Sequence, residues 1–148
     1  GNTLTWANAG AVGYVNAIEF YKKLKFKATF EPGDNGWTSV GLRVGNSSVA
    51  PWLTSGYVFL VKKDVVELQK FGNATFFYSV PNDCLQPGTE HEIEFGAVND
   101  ASGDVRITLV VDGKEIYNVL DEDNPVQGSG FFAIYNSDPA AVTLKTAE

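Results

Sequence analysis

Three glutamates, Glu90, Glu92 and Glu94, alternate with the chain's one histidine, His91, and with Ile93 in the segment EHEIEF. In an extended strand such alternate residues share a face about 6.5 Å apart, a separation at which two carboxyl groups can in principle cleave a glycosidic bond. The same pattern also describes the solvated side of a half-buried strand. The glutamates then oppose Lys or Arg on a neighbour, such as Arg106, while His91, Ile93 and Phe95 turn to the core. The solvated strand is the favoured reading, and hydrolysis by Glu90, Glu92 or Glu94 the alternative.

Other reactive residues are few. Cys84 is the one cysteine, so no internal disulfide can form, and no Cys/His set has zinc-ligand spacing. Without a recognisable histidine partner, its thiol reads as buried or inert. DEDNP, residues 121–125, offers oxygen atoms suited to a hard cation. It lacks the ligand spacing of an EF-hand loop and reads first as an acidic, solvated turn. No metal site is assigned: Asp121 and Asp123 are weak calcium candidates, any calcium would be structural, and no cofactor is required.

The elements that must position these residues are strands. LKFKATF alternates Leu24, Phe26, Ala28 and Phe30 with Lys25, Lys27 and Thr29, the period of a half-buried strand. Turn-forming EPGDNGW follows, after which Val40, Leu42 and Val44 restart the alternation. SGYVFLVKKDVVELQKFG reads as a hairpin turning near Lys62, Lys63 and Asp64. In a second hairpin, VRITLVVDGKEIYNVL, Asp112 and Gly113 accept the positive φ of a type I′ turn, and pairing across it sets Leu109 against Ile116. NAIEFYKKLKF reads as strand at least from Tyr21. With ATFFYSV, EHEIEFGAV, GFFAIYN and AVTLK, the chain holds about nine or ten short strands. Each must bury one face, which gives an all-β fold: a two-sheet antiparallel β-sandwich, a jelly roll.

Length and charge bound the function. The 148 residues suit a single module spanning 1–148, large enough to bury roughly two thirds of its unfolded surface. Eighteen acidic residues against eleven basic give a net charge of −7, which repels phosphate backbones and anionic lipid, so no nucleic-acid partner is expected. No apolar run approaches the roughly 18 residues needed to cross a bilayer, so no membrane partner is expected either. The chain opens GNTLTWANAG and has no methionine, so it reads as a piece processed or excised from a larger secreted multidomain protein.

The succession FKATFEPGDNGWTSVGLRV, SGYVFLVKKDVVELQKFG, EHEIEF, VRITLVVDGKEIYNVLDED and GSGFFAIYNSDPAAVTLK resembles a concanavalin A-like lectin/glucanase domain from Phe20 to Lys145. It is most similar to the branch holding laminin G-like domains, levan-type carbohydrate-binding modules and keto-disaccharide hydrolase-like domains. The residues carrying that similarity are Gly56 and Tyr57, Asp112 to Lys114, and Gly128 to Phe132. At GSGFFAIYN aromatic residues replace part of the usual glycine pattern. EHEIE also resembles the Glu-x-Asp-x-Glu strand of the glucanases, with Glu92 in the aspartate position. The flanking Pro87, Gly88, Thr89 and Gly96 do not form the tryptophan-rich cleft of those enzymes.

The resemblance implies a noncatalytic carbohydrate-binding module, secreted and extracellular, that targets an appended polysaccharide-degrading enzyme to its glycan. Its partners would be a polysaccharide or oligosaccharide and the catalytic domain linked in the parent chain. Such a site needs aromatic planes for the apolar faces of sugar rings and planar polar groups for the hydroxyls. The candidates are Trp37 with the adjacent Asp34 and Asn35, Trp52 and Tyr57 about the next loop, and Arg43. Arg43 would present its guanidinium fork from the strand face opposite Val40, Leu42 and Val44. Trp6 and Tyr14 are assigned to sealing the N-terminal segment, and Phe76, Phe77, Phe131 and Phe132 to the core or to sheet packing. A laminin G-like protein-interaction or adhesion module without saccharide affinity is the further alternative.

Overall fold

A computed structural model describes residues 3–6, 11–19, 22–30, 36–46, 54–71, 75–128, 130–136 and 140–147; for 3–6, 11–19, 75–77, 135–136 and 140–147 it describes backbone pairing alone. Asp34, Asn35 and Trp52 lie outside the described residues, as do the side chains of Trp6, Tyr14, Phe76 and Phe77. Twelve strands make up the described elements: β1 (Thr3–Trp6), β2 (Ala11–Glu19), β3 (Lys23–Phe30), β4 (Thr38–Val44), β5 (Gly56–Val61), β6 (Val65–Phe71), β7 (Thr75–Pro81), β8 (Glu90–Asn99), β9 (Val105–Val111), β10 (Lys114–Asp121), β11 (Gly130–Asn136) and β12 (Ala140–Ala147). That exceeds the nine or ten read from the sequence.

The strands form two six-stranded sheets, ordered β1-β12-β3-β8-β9-β10 and β2-β11-β4-β5-β6-β7. Every neighbouring pair is antiparallel. The expected all-β sandwich is therefore present. The chain passes between sheets after β1, β2, β3, β7, β10 and β11, so the strands flanking β3, β8 and β11 are brought together from distant parts of the sequence.

The alternation seen in the sequence becomes the inner faces of the sheets. Leu24, Phe26, Ala28 and Phe30 of β3 and Ile93, Phe95 and Ala97 of β8 meet Val40, Leu42, Tyr57 and Phe59 of the opposite sheet. Phe59 sits at the centre, stacked on Phe26 at 6.3 Å between centroids and edge-on to Phe30 and Phe95 at 6.2 and 5.2 Å. These separations fall in the favoured range for aromatic pairs. Phe132 joins this core, whereas Phe131 is half-buried.

Two hairpins set the register. β5 and β6 turn through Lys62, Lys63 and Asp64 as expected, with Val61 opposite Val66. In the β9–β10 hairpin, Asp112 and Gly113 have φ of 50° and 81°, the left-handed pair that a type I′ turn requires. The cross-strand pairing differs from expectation: Leu109 faces Tyr117, because a bulge between Glu115 and Tyr117 sets Ile116 out of register. Tyr117 thereby turns into the core and Ile116 lies half-buried.

A second bulge has a larger consequence. The β4–β11 register shifts between Phe131 and Ala133, opposite Val44 and Gly41, and Arg43 takes up the extra step with φ of 56°. A Cβ on Gly41 would lie 2.9 Å from Val44 Cγ2, which places Val44 on the outer face above Gly41. The parity of the strand is reversed there. Arg43, expected on the outer face, is turned inward and is 1% exposed. Gly130 lets the two backbones close over the bulge, since any Cβ there would stand 2.5 Å from the Arg43 carbonyl carbon.

Candidate functional site

Arg43 enters a buried polar network at one end of the sandwich. Its Nη2 donates to the Ala97 carbonyl at 2.8 Å and its Nη1 to the Val126 carbonyl at 2.9 Å. Tyr57, read as a rim residue, is fully buried. Its hydroxyl donates to Asp121 Oδ2 at 2.6 Å and accepts from the Val126 N–H at 2.8 Å. Burial, then the hydrogen bond to the Asp121 carboxylate, pushes the phenol above its ordinary value and keeps it a donor. Lys70 of β6, 8% exposed, pairs with Asp121 Oδ2 at 3.1 Å and donates to the Asp123 carbonyl. The Asp123 N–H closes the loop onto Asp121 Oδ1 at 3.1 Å.

Asp121 is thus engaged on both oxygens and wholly buried, not part of a solvated turn, while Asp123 is exposed. Among the described residues no three His, Cys, Asp or Glu side chains come together as a metal-binding group. The chemistry of Arg43, Tyr57, Lys70 and Asp121 is structural. Charges withdrawn from water are tolerable only when paired and hydrogen-bonded, and their pairing fixes the β10–β11 loop from Asp121 to Val126.

That loop walls a cleft of about 300 Å³ at the sandwich rim, the lower end of the size range of small-ligand sites. Ser55 at the start of β5 and Lys70 and Phe71 at the end of β6 form one side, and Asn124, Pro125 and Gln127 the other. Asn124 adopts φ of 48°, a conformation asparagine tolerates. The Gln127 amide is oriented by Asn99 Nδ2, which donates to its Oε1, and by its own Nε2, which donates to the Gly103 carbonyl at 2.6 Å. An amide has more than these two positions, so a further donor and acceptor are left for a ligand. The half-buried ring of Phe71 supplies apolar surface beside them.

No protein-family model matches the sequence, and no curated protein matches it. Solved structures match the fold. Sheep galectin-11 in complex with glycerol aligns with a TM-score of 0.63 at 13% identity over 95% of this chain and 97% of that chain. The carbohydrate-binding module CBM66 from Bacillus subtilis aligns with a TM-score of 0.65 at 16% identity over 99% and 90%. The fold is concanavalin A-like. A native glycosidic hydrolase shares it as well, with a TM-score of 0.62 at 15% identity over 88% of this chain and 65% of that chain. A concanavalin A-like sandwich therefore does not by itself separate binding from hydrolysis, and the residues must.

On this concanavalin A-like frame the Glu90–Glu92–Glu94 row lies on the outer face of β8, with His91, Ile93 and Phe95 inward as the alternation predicts. The counter-charges come from β3 and not from Arg106. Glu94 meets Lys23 at 2.9 Å and Lys25 at 3.8 Å, and Glu90 meets Lys27 at 3.9 Å. Arg106 instead bonds Asn118 Oδ1 at 2.6 Å. His91 is committed too. Its Nε2 accepts from the Gln86 N–H at 3.1 Å, which places the proton on Nδ1, 2.6 Å from Asp112 Oδ2. Cys84 is half-buried, and burial pushes its thiol above the ordinary value. Trp37 is half-buried just before β4.

The sequence reading missed Ser55, Lys70, Phe71, Asn124, Pro125 and Gln127. The Asn-Pro pair in DEDNP was the one local signal of a shaped loop; nothing in the sequence places it beside β6.

Proposed function

We propose that this chain is a noncatalytic carbohydrate-binding module whose ligand enters the rim cleft. The observation that carries the reading is the composition of that cleft: two amides and a hydroxyl around one aromatic ring and a proline. Hydroxyl-rich rings with apolar faces need this combination. The structural neighbours include galectin-11 and the carbohydrate-binding module CBM66, which supports saccharide as the ligand class.

The glutamate row favours binding over hydrolysis. Alternate carboxyl groups on one strand could flank a scissile bond, but Glu90 and Glu94 are taken up in ion pairs with Lys23, Lys25 and Lys27 of β3, and Lys27 stands opposite Glu92 in register. A linked polysaccharide-degrading enzyme and an extracellular setting complete the proposal, with tethering raising the enzyme's local concentration on its glycan.

The test is a glycan array followed by titration calorimetry with the Phe71→Ala and Gln127→Ala variants. Retention of one or more neutral glycans by the parent chain, weakened roughly tenfold by either substitution, is expected. Silence across plant, microbial and animal glycans would overturn the reading in favour of a protein-interaction module. Glycan hydrolysis that disappears in a Glu90→Gln, Glu92→Gln, Glu94→Gln triple variant would overturn it in favour of an enzyme.

A further inference from the structure

A second cleft, of about 440 Å³, lies on another side of the molecule and shares no lining residue with the rim cleft. It opens between β7 and β10, the edge strands of the two sheets. Val80 and Pro81 line it from β7, and Ile116, set out of register by the hairpin bulge, lines it from β10. The bulge is therefore what supplies its apolar wall. Exposed Asp83, Lys114 and Glu115 surround that wall, with Asp112 behind them held by His91. Three carboxylates thus face one ammonium.

Two further features mark the cleft as more than a gap between strands. Tyr78 stands two residues before Val80 on the same side of β7 and is 38% exposed, while its ring packs edge-on against Tyr117 at 5.8 Å. An exposed aromatic held rigid by a buried one is a ready surface for a ring or a cation. Tyr117 itself is 4% exposed, and its hydroxyl is a buried group with no hydrogen-bond partner among the described residues. Buried polar groups of this kind are normally satisfied, and Tyr117 directly follows Ile116 of the cleft wall in the chain. Cys84 also lines the cleft.

We propose that this edge cleft is a second ligand site, one that takes a saccharide unit carrying a protonated amine. The sugar's apolar face would pack on Tyr78 and the Val80–Ile116 wall. The ammonium would bond Asp83 and Glu115, and Lys114 would donate to ring hydroxyls. Neutral or acylated sugars forfeit the charge-assisted bonds, and anionic ones meet an acidic rim on a chain of net charge −7. The site does not depend on the rim cleft.

The experiment is calorimetric titration at mildly acidic pH with a fully deacetylated tetrasaccharide of 2-amino-2-deoxyglucose, its N-acetylated counterpart and tetralysine. The deacetylated sugar should bind roughly tenfold or more tightly than the acetylated one. That preference should vanish in an Asp83→Asn, Glu115→Gln double variant, and Tyr78→Ala should weaken both sugars. All three residues are exposed, and an unchanged unfolding midpoint verifies the fold of each variant. Equal affinity for the two sugars overturns the proposal, as does tetralysine binding as tightly as the amino sugar. Loss of amino-sugar binding in Phe71→Ala but not in the double variant moves the ligand to the rim cleft and also overturns it. Failure of neutral glycans in the preceding test leaves this outcome independently readable.

Discussion

The outer face of β3 and β8 and the buried rim network both assemble opposite charges, yet they do different things. On the strand face, Lys23, Lys25 and Lys27 meet Glu90 and Glu94 while remaining largely in water, with side chains 25–62% exposed. At the rim, Lys70 meets Asp121 with side chains 9% and 0% exposed. Solvent screens the first set, and each pair adds little. The second set has lost its water, so each partner depends on the others. Charge pattern alone does not rank the two; the depth at which each pair sits does.

This comparison can be broken most sharply at Asp121. Asp121→Ala leaves the Lys70 ammonium and the Tyr57 hydroxyl buried without their acceptor, and should cost about 3–5 kcal/mol in urea unfolding. A loss below about 1 kcal/mol would put the rim pair in the class of surface pairs. Tyr57→Phe keeps the core ring but strands the Val126 N–H, and should cost about 1–3 kcal/mol. Because it loosens the loop bearing Asn124 and Gln127, it should also weaken any glycan held in the rim cleft.

On the strand face, the Glu90→Gln, Glu92→Gln, Glu94→Gln variant should change stability by about 1 kcal/mol or less, with the difference shrinking as salt is added. The smallest expected effect is at Asp112. The hydrogen bond from His91, then that from the Glu92 N–H, holds its carboxyl below the ordinary value. A lowered folded-state value contributes stability that is complete above the unfolded value and is lost as pH falls through the folded one. Asp112→Asn, which tolerates the same positive φ, should therefore flatten the acid limb below about pH 4, with its small loss of stability present near neutrality and vanishing as pH falls through the folded value. An acid limb identical to the parent's would remove the His91–Asp112 pair from the stability account.

The strands legible in the sequence were those with unbroken alternation. Leu24 to Phe30 and Glu90 to Phe95 sit as their period requires, and Asp112-Gly113 makes the turn its residue types demand. Two of the failures share one cause. At Arg43 and at Ile116 a bulge inserts a residue, and every inference from parity beyond it is reversed. A bulge arises from the fit between two strands, β4 with β11 and β9 with β10, so its position is not carried by either strand's own pattern. The rim cleft was illegible for a related reason. Ser55, Phe71 and Gln127 lie far apart in the chain and meet only because β5, β6 and the β10–β11 loop end at the same corner.

By itself the sequence determined the all-β class, the direction in which most side chains point and the solvated character of the glutamate row, because these follow from residue type and a period of two. Tertiary structure alone decided that Arg43 and Tyr57 face inward, that Asp121 is an internal counter-ion, and that two clefts exist at the rim and the edge. Those outcomes depend on which strands become neighbours and how far each charge is removed from water, and neither quantity is a property of a local stretch of chain.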